Sequence, residues 1–392
     1  MTEVILPQGF MACGVHCGLK RGGREDLGVI ACRGSAVFAA VFTTNRVAAA
    51  PVKLNRSRMV RSTCRAVVVN SGNANACTGE RGLQDAQRMA ELTARALGCE
   101  PEEVLVCSTG VIGRPLPMDR IAAGIGTAIN GLSAGGGASF ARAILTTDTC
   151  TKTVSVTVEI DGRQIRLAGI AKGAGMIAPR MATMLAYILT DAAVQAAYLR
   201  GLLAGVTQRT FNRITVDGDC STNDTVIAMA SGTAGNRELS GDHPGSGAFA
   251  RAFEDVSRRL ALMIVRDGEG AQKLVTVTVK GAASAEDAEK AVRAVAESML
   301  VKAAWAGGRV NWGRVMDALG YSGARLEEDR VEIRYDDHPV VTGGRAAETP
   351  VAVLQEVVRQ DSFTVTIDMH LGDHGATLYT CDLTEEYVRI NR

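Results

Sequence analysis

The chain is poor in histidine and has almost no net charge. Five histidines are spread over 392 residues, and the closest pair, His370 and His374, lies beside Gly372 and Asp373 in what reads as a solvated turn, so no metal site is expected. Ten cysteines stand singly, at Cys13, Cys17, Cys32, Cys64, Cys77, Cys99, Cys107, Cys150, Cys220 and Cys381, without a Cys-x-x-Cys pair. That pattern fits neither zinc nor a disulfide framework; a reducing compartment would leave them as small buried thiols. Lys and Arg number 43 against 42 Asp and Glu, so no global field exists to hold a nucleic acid or an anionic membrane surface. The uncharged stretch from Ile121 to Phe140 is broken by six glycines and by Thr127, Asn130, Ser133 and Ser139, which makes a transmembrane helix too costly. The first residues carry Glu3 and no basic flank before an apolar run, so a secretory signal is not expected and the expected location is cytoplasmic. His-Glu-x-x-His and the phosphate-cradling Gly-x-x-x-x-Gly-Lys-Ser/Thr are also missing. Histidines are too few for an obvious Ser-His or Cys-His pairing. No resident cofactor is expected.

What the chain has is a 46% hydrophobic content, enough for one large core or two modest ones, and 43 glycines gathered in a few polar segments. Alternating or β-branched runs predict strands at 66–69, 104–107, 154–160, 164–168, 274–279, 331–335, 363–369 and 377–381. Helical spacing appears at 83–97, 196–211, 249–265, 285–301 and 350–359, while Gly131–Ala138 reads as a glycine-rich loop. Strands fall in adjacent pairs, as around the Asp161-Gly162 turn, so the expected class is α+β, with sheets layered against helices. A composition change near 280 predicts a body of 1–280 and a smaller α+β C-terminal subdomain of 281–392.

Six segments combine glycine with small hydroxyl or amide side chains: Asn70–Gly79, Cys107–Gly113, Thr146–Cys150, Lys172–Pro179, Val216–Thr225 and Arg266–Lys273. Glycine lets a backbone approach a ligand closely, and nearby N–H groups and hydroxyls can hydrogen-bond a polar substrate or an oxyanion. Each alone reads as a turn or a cap; six together read as a site. With no histidine base at hand, an economical nucleophile is a threonine freed at a new N-terminus, whose α-amine accepts the hydroxyl proton. Met181-Ala182-Thr183 offers one, between the glycine-rich loop and the buried apolar run at 184–189. By its residue type alone Thr183 reads first as a β-branched strand residue.

These segments resemble those of the ornithine acetyltransferase family, the bifunctional glutamate N-acetyltransferases of arginine biosynthesis. The likeness runs almost end to end, through TTNRVAAAPV, NSGNANACTG, CSTGVIG, ILTTDT, GIAKGAGMIAPRMATML, FNRITVDGDCSTNDT, DGEGAQK, NWGR and CDLTEEYVRIN. It implies a self-processing fold of the N-terminal-nucleophile type, an α/β/β/α sandwich, cut between Ala182 and Thr183 into chains 1–182 and 183–392. It further implies Thr183 as nucleophile, Thr109 and Gly110 as oxyanion hole, and Thr146, Lys172, Thr183, Glu269 and Asn391 as substrate contacts. Three departures stand out: Arg180 where the family usually has Asn, Arg309-Val310 where Asp-Pro is usual, and no hydroxyl residue five positions beyond Asn391. The last would leave substrate held by fewer contacts.

The implied reaction moves an acetyl group from N2-acetylornithine to glutamate through an acetyl-threonine, in ping-pong fashion. Acetyl-CoA could serve as a second donor. Lys172 suits an α-carboxylate and Glu269 an ammonium. The fragments would stay together as a heterodimer and assemble into a heterotetramer. Two alternatives are a self-processing aminopeptidase or amidohydrolase, with water as acceptor, and an uncleaved binding protein.

Overall fold

The computed structural model describes residues 4–178 and 184–392. The chain divides into two compact units, Met1–Asn212 with Asp219–Ile264, and Arg213–Gly218 with Val265–Arg392. The first unit holds strands β1 (Phe10–Val15), β2 (Leu27–Phe42), β3 (Thr63–Asn73), β4 (Val104–Val111), β5 (Lys152–Ile160), β6 (Arg163–Lys172), β7 (Leu185–Thr190) and β8 (Thr225–Ala230). Its helices are α1 (Ala50–Arg58), α2 (Gly79–Leu97), α3 (Met118–Asn130), α4 (Gly137–Ala143), α5 (Ala196–Arg209) and α6 (Ser246–Arg266), the last leading out of the unit.

All eight strands form one sheet in the order β4-β3-β2-β8-β7-β6-β5, with β1 on β2. In a flat sheet β4 and β6, five places apart, would be roughly 24 Å from each other. Lys172 at the end of β6 nevertheless hydrogen-bonds Thr109 of β4 at 3.3 Å, so the sheet is folded onto itself. The fold line is β2. Residues 27–32 pair with β1 and β3, residues 37–42 pair with β8, and the register with β3 slips between Ala31 and Ala36 at the exposed Arg33-Gly34-Ser35 bulge.

Side chains two apart on each strand then have separate destinations. Val67, Val69, Leu105 and Cys107 join Phe38, Ile170, Tyr187, Leu189 and Ile227 in one core between the two halves of the sheet. Their neighbours Ala66, Val68, Val104 and Val106 face outward onto Met89 of α2 and Ile121 and Ile125 of α3. On the opposite outside, Gly169 of β6 admits α6, for a Cβ there would stand 2.6 Å from both Val256 and Leu260. The unit is a helix-sheet-sheet-helix sandwich, as expected. Buried on both faces, β7 reads as a continuous apolar run rather than an alternating one.

The second unit contains β9 (Leu274–Ala282), β10 (Glu332–Tyr335), β11 (His338–Thr342), β12 (Arg345–Ala346), β13 (Ser362–Asp368) and β14 (His374–Cys381), with α7 (Ala285–Glu297), α8 (Met299–Ala306), α9 (Trp312–Tyr321), α10 (Val351–Arg359) and α11 (Glu385–Ile390). Its sheet runs β12-β11-β10-β13-β9-β14. The unit's long C-terminal stretch therefore begins at Val265, not at 281, because β9 is the strand that joins β13 and β14; a cut at 280 would strip both of their common partner.

Other expectations shift for local reasons. The helix predicted over 285–301 breaks at Ser298, whose extended backbone ends α7 and whose hydroxyl accepts from Val301 N to start α8. The Asp161-Gly162 turn has positive φ at both residues, the geometry of a two-residue hairpin. Cys77 and Cys150 are exposed rather than buried. No helix among the described residues is long and apolar enough to cross a membrane.

The glycine-rich 131–138 segment is only partly a loop, since α4 starts inside it and lies on β1. A Cβ on Gly136 would sit 1.7 Å from the Ala12 carbonyl oxygen, and one on Gly14 would sit 2.1 Å from that of Ser139. Gly136→Ala should accordingly destabilise the protein by about 1–3 kcal/mol through overpacking against backbone. Gly126→Ala, at an α3 position with open space around it, should raise stability by up to about 1 kcal/mol. Denaturant melts of the two variants check this, and equal shifts would refute the close-approach reading.

Candidate active site

The strand ends of the first unit carry the glycine and hydroxyl segments. Gly110 has φ +132°, and a Cβ there would fall 2.3 Å from the Gly72 carbonyl carbon and 2.5 Å from Asn73 N. Only glycine allows the ends of β3 and β4 to close this tightly, and the register between them slips at Gly72/Asn73. Below this point Ser108 Oγ donates to Asn70 Oδ1 at 2.6 Å, and Asn223 Nδ2 donates to the carbonyls of Ala74 and Ser108 at 2.6 and 2.8 Å. Three of the six small-residue segments are thus tied into one buried amide and hydroxyl frame.

On this frame the structure brings together Thr109, Thr146 and Lys172. Lys172 Nζ donates to Thr146 Oγ1 at 2.7 Å and to Thr109 Oγ1 at 3.3 Å, and its side chain is almost fully buried. An ammonium in that position needs a counter-charge. Asp148, two residues past Thr146, supplies it. Its Oδ2 lies 3.8 Å from Lys172 Nζ and accepts from Thr146 N at 2.9 Å, while its Oδ1 accepts from Lys152 Nζ at 2.7 Å and from Gly173 N at 2.6 Å. Burial on its own would raise the carboxyl's pKa, but the charges of Lys172 and Lys152 and the N–H donors outweigh it and hold the group well below the usual carboxylate range.

Asp148 and Lys152 were not singled out from the sequence. The only signal was an acid within Thr146–Cys150 and a lysine at the start of a strand, and neither shows burial. Ala182 and Thr183, the expected cleavage pair, lie outside the described residues, as do Pro179, Arg180 and Met181. Gly-x-Ser-x-Gly is spelled once, at 131–135, but it joins α3 to α4 rather than a strand to a helix and so is no nucleophile elbow.

The second unit brings together Glu269 and Asn391. Asn391 Nδ2 donates to Glu269 Oε2 at 2.5 Å and to the Tyr387 carbonyl at 3.0 Å. The loop bearing Glu269 is pinned beneath the C-terminal segment. Thr384 Oγ1 donates to the Gly270 carbonyl at 2.7 Å, and Asp382 Oδ1 accepts from Gln272 N and Lys273 N at 2.8 and 3.0 Å. Gly270, at φ +72°, leaves no room for a side chain, since a Cβ would meet Tyr387 N at 2.7 Å.

A sheet folded between two helix layers, with hydroxyls, a buried lysine and small-residue loops at the strand ends, has the layered architecture of the N-terminal-nucleophile fold class. Within that class the chain belongs to the ArgJ family, whose sequence model matches residues 11–392. It is 52% identical over 98% of both chains to the arginine biosynthesis bifunctional protein ArgJ of Geobacter sulfurreducens. It is 50% identical to the protein of that name from Symbiobacterium thermophilum, over 99% of this chain and 97% of the relative. Among solved structures, the ArgJ crystal structure from Bacillus halodurans is 38% identical with a TM-score of 0.50, covering 52% of this chain and 97% of that one.

The charge cluster makes a stability prediction with a definite sign. A carboxyl whose folded pKa is depressed contributes stability above its unfolded pKa of about 3.9, and that contribution is lost as pH falls from there toward the folded value. Asp148→Asn should cost about 3–5 kcal/mol at pH 7, since it removes the carboxylate charge that faces two buried ammonium groups. The gap to wild type should narrow below about pH 4. Denaturant melts at pH 7 and pH 3 check this; a gap that does not change with pH would show that the cost is packing alone.

Proposed function

We propose that the chain is an acetyltransferase that carries the acetyl group of N2-acetylornithine to glutamate through Thr183 after cutting itself between Ala182 and Thr183. One observation carries this reading: Lys172 ties Thr109 and Thr146 together on the strand that leads directly into the Gly173–Thr183 segment of an ArgJ-family chain.

In this mechanism Thr183 Oγ attacks the acetyl carbonyl while the threonine's own α-amine takes the hydroxyl proton and returns it to the departing ornithine amine. Thr109 and Gly110 face the oxyanion, and Lys172 and Thr146 hold the substrate's carboxylate end. Glu269, kept in place by Asn391, takes an ammonium. Glutamate then enters and its amine removes the acetyl group from Thr183. Both donor and acceptor products are amides of similar stability, so the chemistry calls for no energy source and no resident cofactor. Acetyl-CoA would enter as a second acetyl donor at the same threonine.

One finding supports the cut, and a second supports the fragments' staying together. The Bacillus halodurans chain matches over nearly its whole length while covering half of this one, so it is about half as long. And β7, the first strand after the cut, lies between β6 and β8 in mid-sheet, paired with β6 from Leu167–Thr190 through Lys172–Leu185. Chains 1–182 and 183–392 would therefore remain one heterodimer after cleavage. We further propose its pairing into a heterotetramer, which gel filtration tests.

Intact mass of the purified protein should show two fragments, the second beginning at Thr183, and Thr183→Ala should remain a single chain. A break elsewhere, or equal cutting of wild type and variant, would remove Thr183 from the mechanism. Thr109→Ala should lower kcat by about 100- to 1,000-fold, corresponding to about 2.7–4 kcal/mol, with a smaller change in KM. An unchanged kcat would remove Thr109 from the oxyanion hole. Release of free acetate without glutamate would favour the amidohydrolase reading instead.

A further inference from the structure

The loop between β1 and β2 presents a lysine that the mechanism above does not use. Asp26, fully buried, folds this loop around its carboxylate. Cys17 N donates to Oδ1 at 2.6 Å, and Gly18, Leu19 and Lys20 N donate to Oδ2 at 3.1, 2.7 and 2.9 Å. Four main-chain donors on one carboxylate make a rigid bracket, and the residue at its end is Lys20. Its stem runs past Gly72, where a Cβ would stand 3.4 Å from Lys20 Cγ. Gly72 is the residue against which Gly110 closes. Lys20 Nζ donates to the carbonyls of Glu25 and Ala143 at 2.9 and 3.4 Å, and Ala143 ends the helix that leads into Thr146.

Lys20 thus stands beside both arms of the candidate site. Two of its three N–H donors are committed to neutral carbonyls. Among the described residues it hydrogen-bonds no carboxylate side chain. The groups facing it are Asp26 and Asp148, which favour its proton, and Arg24 and Lys172, which oppose it; burial outweighs them and brings its pKa down to about 8.

We infer that Lys20 is a specificity-determining residue that receives the side-chain carboxylate of the acceptor, the second of the two carboxylates of a dicarboxylic amino acid. The inference rests on the reaction proposed above and deepens it. In a ping-pong reaction one cleft takes both amino acids in turn, and next to the reacting amine each has an α-carboxylate, which Lys172 matches. They differ at the far end, where ornithine carries an ammonium and glutamate a carboxylate. A cation that discharges readily tolerates the first and, when protonated, pairs with the second. Held by the Asp26 bracket, it does so without a further loss of loop freedom on binding.

The test uses the processed wild-type enzyme, Lys20→Met and Lys20→Arg, with N2-acetylornithine as donor and either glutamate or glutamine as acceptor. Glutamine keeps the shape of the side chain and removes its charge. Lys20→Met should reduce the preference for glutamate over glutamine in kcat/KM by about 10- to 100-fold, the worth of a charge-assisted hydrogen bond. The first half-reaction, followed as the burst of ornithine, should stay within about threefold of wild type, and Lys20→Arg should restore most of the preference. If Lys20→Met lowers both acceptors and the ornithine burst alike, Lys20 is structural and the inference fails. An unchanged glutamate-to-glutamine ratio also overturns it. Wild type that moves no acetyl group to glutamate would overturn the proposed reaction itself, a different result from either.

Discussion

One buried carboxylate organises the first unit's chemistry. Asp148 is enclosed between two lysines and two main-chain N–H groups, and a charge so placed is tolerable only when every partner is in register. Those partners come from separate elements: Lys152 opens β5, Lys172 closes β6, Gly173 begins the segment toward Thr183, and Thr146 follows α4. Satisfying Asp148 therefore fixes the ends of two strands and the start of the segment that follows β6. Lys172 gains its counter-charge in the same step and is left pointing at two threonine hydroxyls. Such a cluster adds little to net stability, since both ammonium groups and the carboxylate lose their hydration to form it.

The folded sheet is what makes this convergence available. Without the bulge in β2, β4 and β6 would lie far apart, and Thr109 could not meet Lys172. Glycine serves the same end at shorter range: Gly72 against Gly110, Gly14 against Ser139 and Gly270 against Tyr387 are all places where backbone meets backbone and a methyl group would not fit. The high glycine content is thus a packing requirement as much as a matter of loops. The contacts at Gly110 and Gly270 bring site segments within hydrogen-bond reach of their neighbours.

Much of this was legible in the residues. Every predicted strand exists, because in β3, β4, β5 and β6 the period of two or the β-branched run is set by the core they face. The small-residue segments correctly marked the strand ends. What escaped was non-local. β1 and β2 are interrupted by Gly14, Gly28 and the Arg33-Gly34-Ser35 bulge, which break the alternation a strand would show. α4 starts among glycines that helix propensity alone would assign to a loop. The unit boundary was misplaced because β9 looks like the end of one domain in sequence, while in space it belongs to β13, some ninety positions later. Asp148 and Lys152 read as ordinary surface charges, since a sequence carries no record of which ion pairs are buried. Thr109, Gly110, Thr146 and Lys172 were reached through resemblance, and Lys20 through geometry.

An acetyl-threonine is an ester, and water hydrolyses esters, so a transferase must offer the amine acceptor a better approach than it offers water. The described polar groups are suited to that demand, because they are satisfied mainly by one another. Lys172 is bonded to hydroxyls, Asp148 to ammonium and amide groups, and Ser108 and Asn223 to main-chain and amide partners. In the proposed reaction an acceptor that brings two carboxylates would find two cations, Lys172 and Lys20, on the same unit, and a water molecule cannot engage both at once. In that reaction, binding energy from the acceptor's far end would place its amine at the acetyl carbon, and this placement would favour acetyl transfer over hydrolysis.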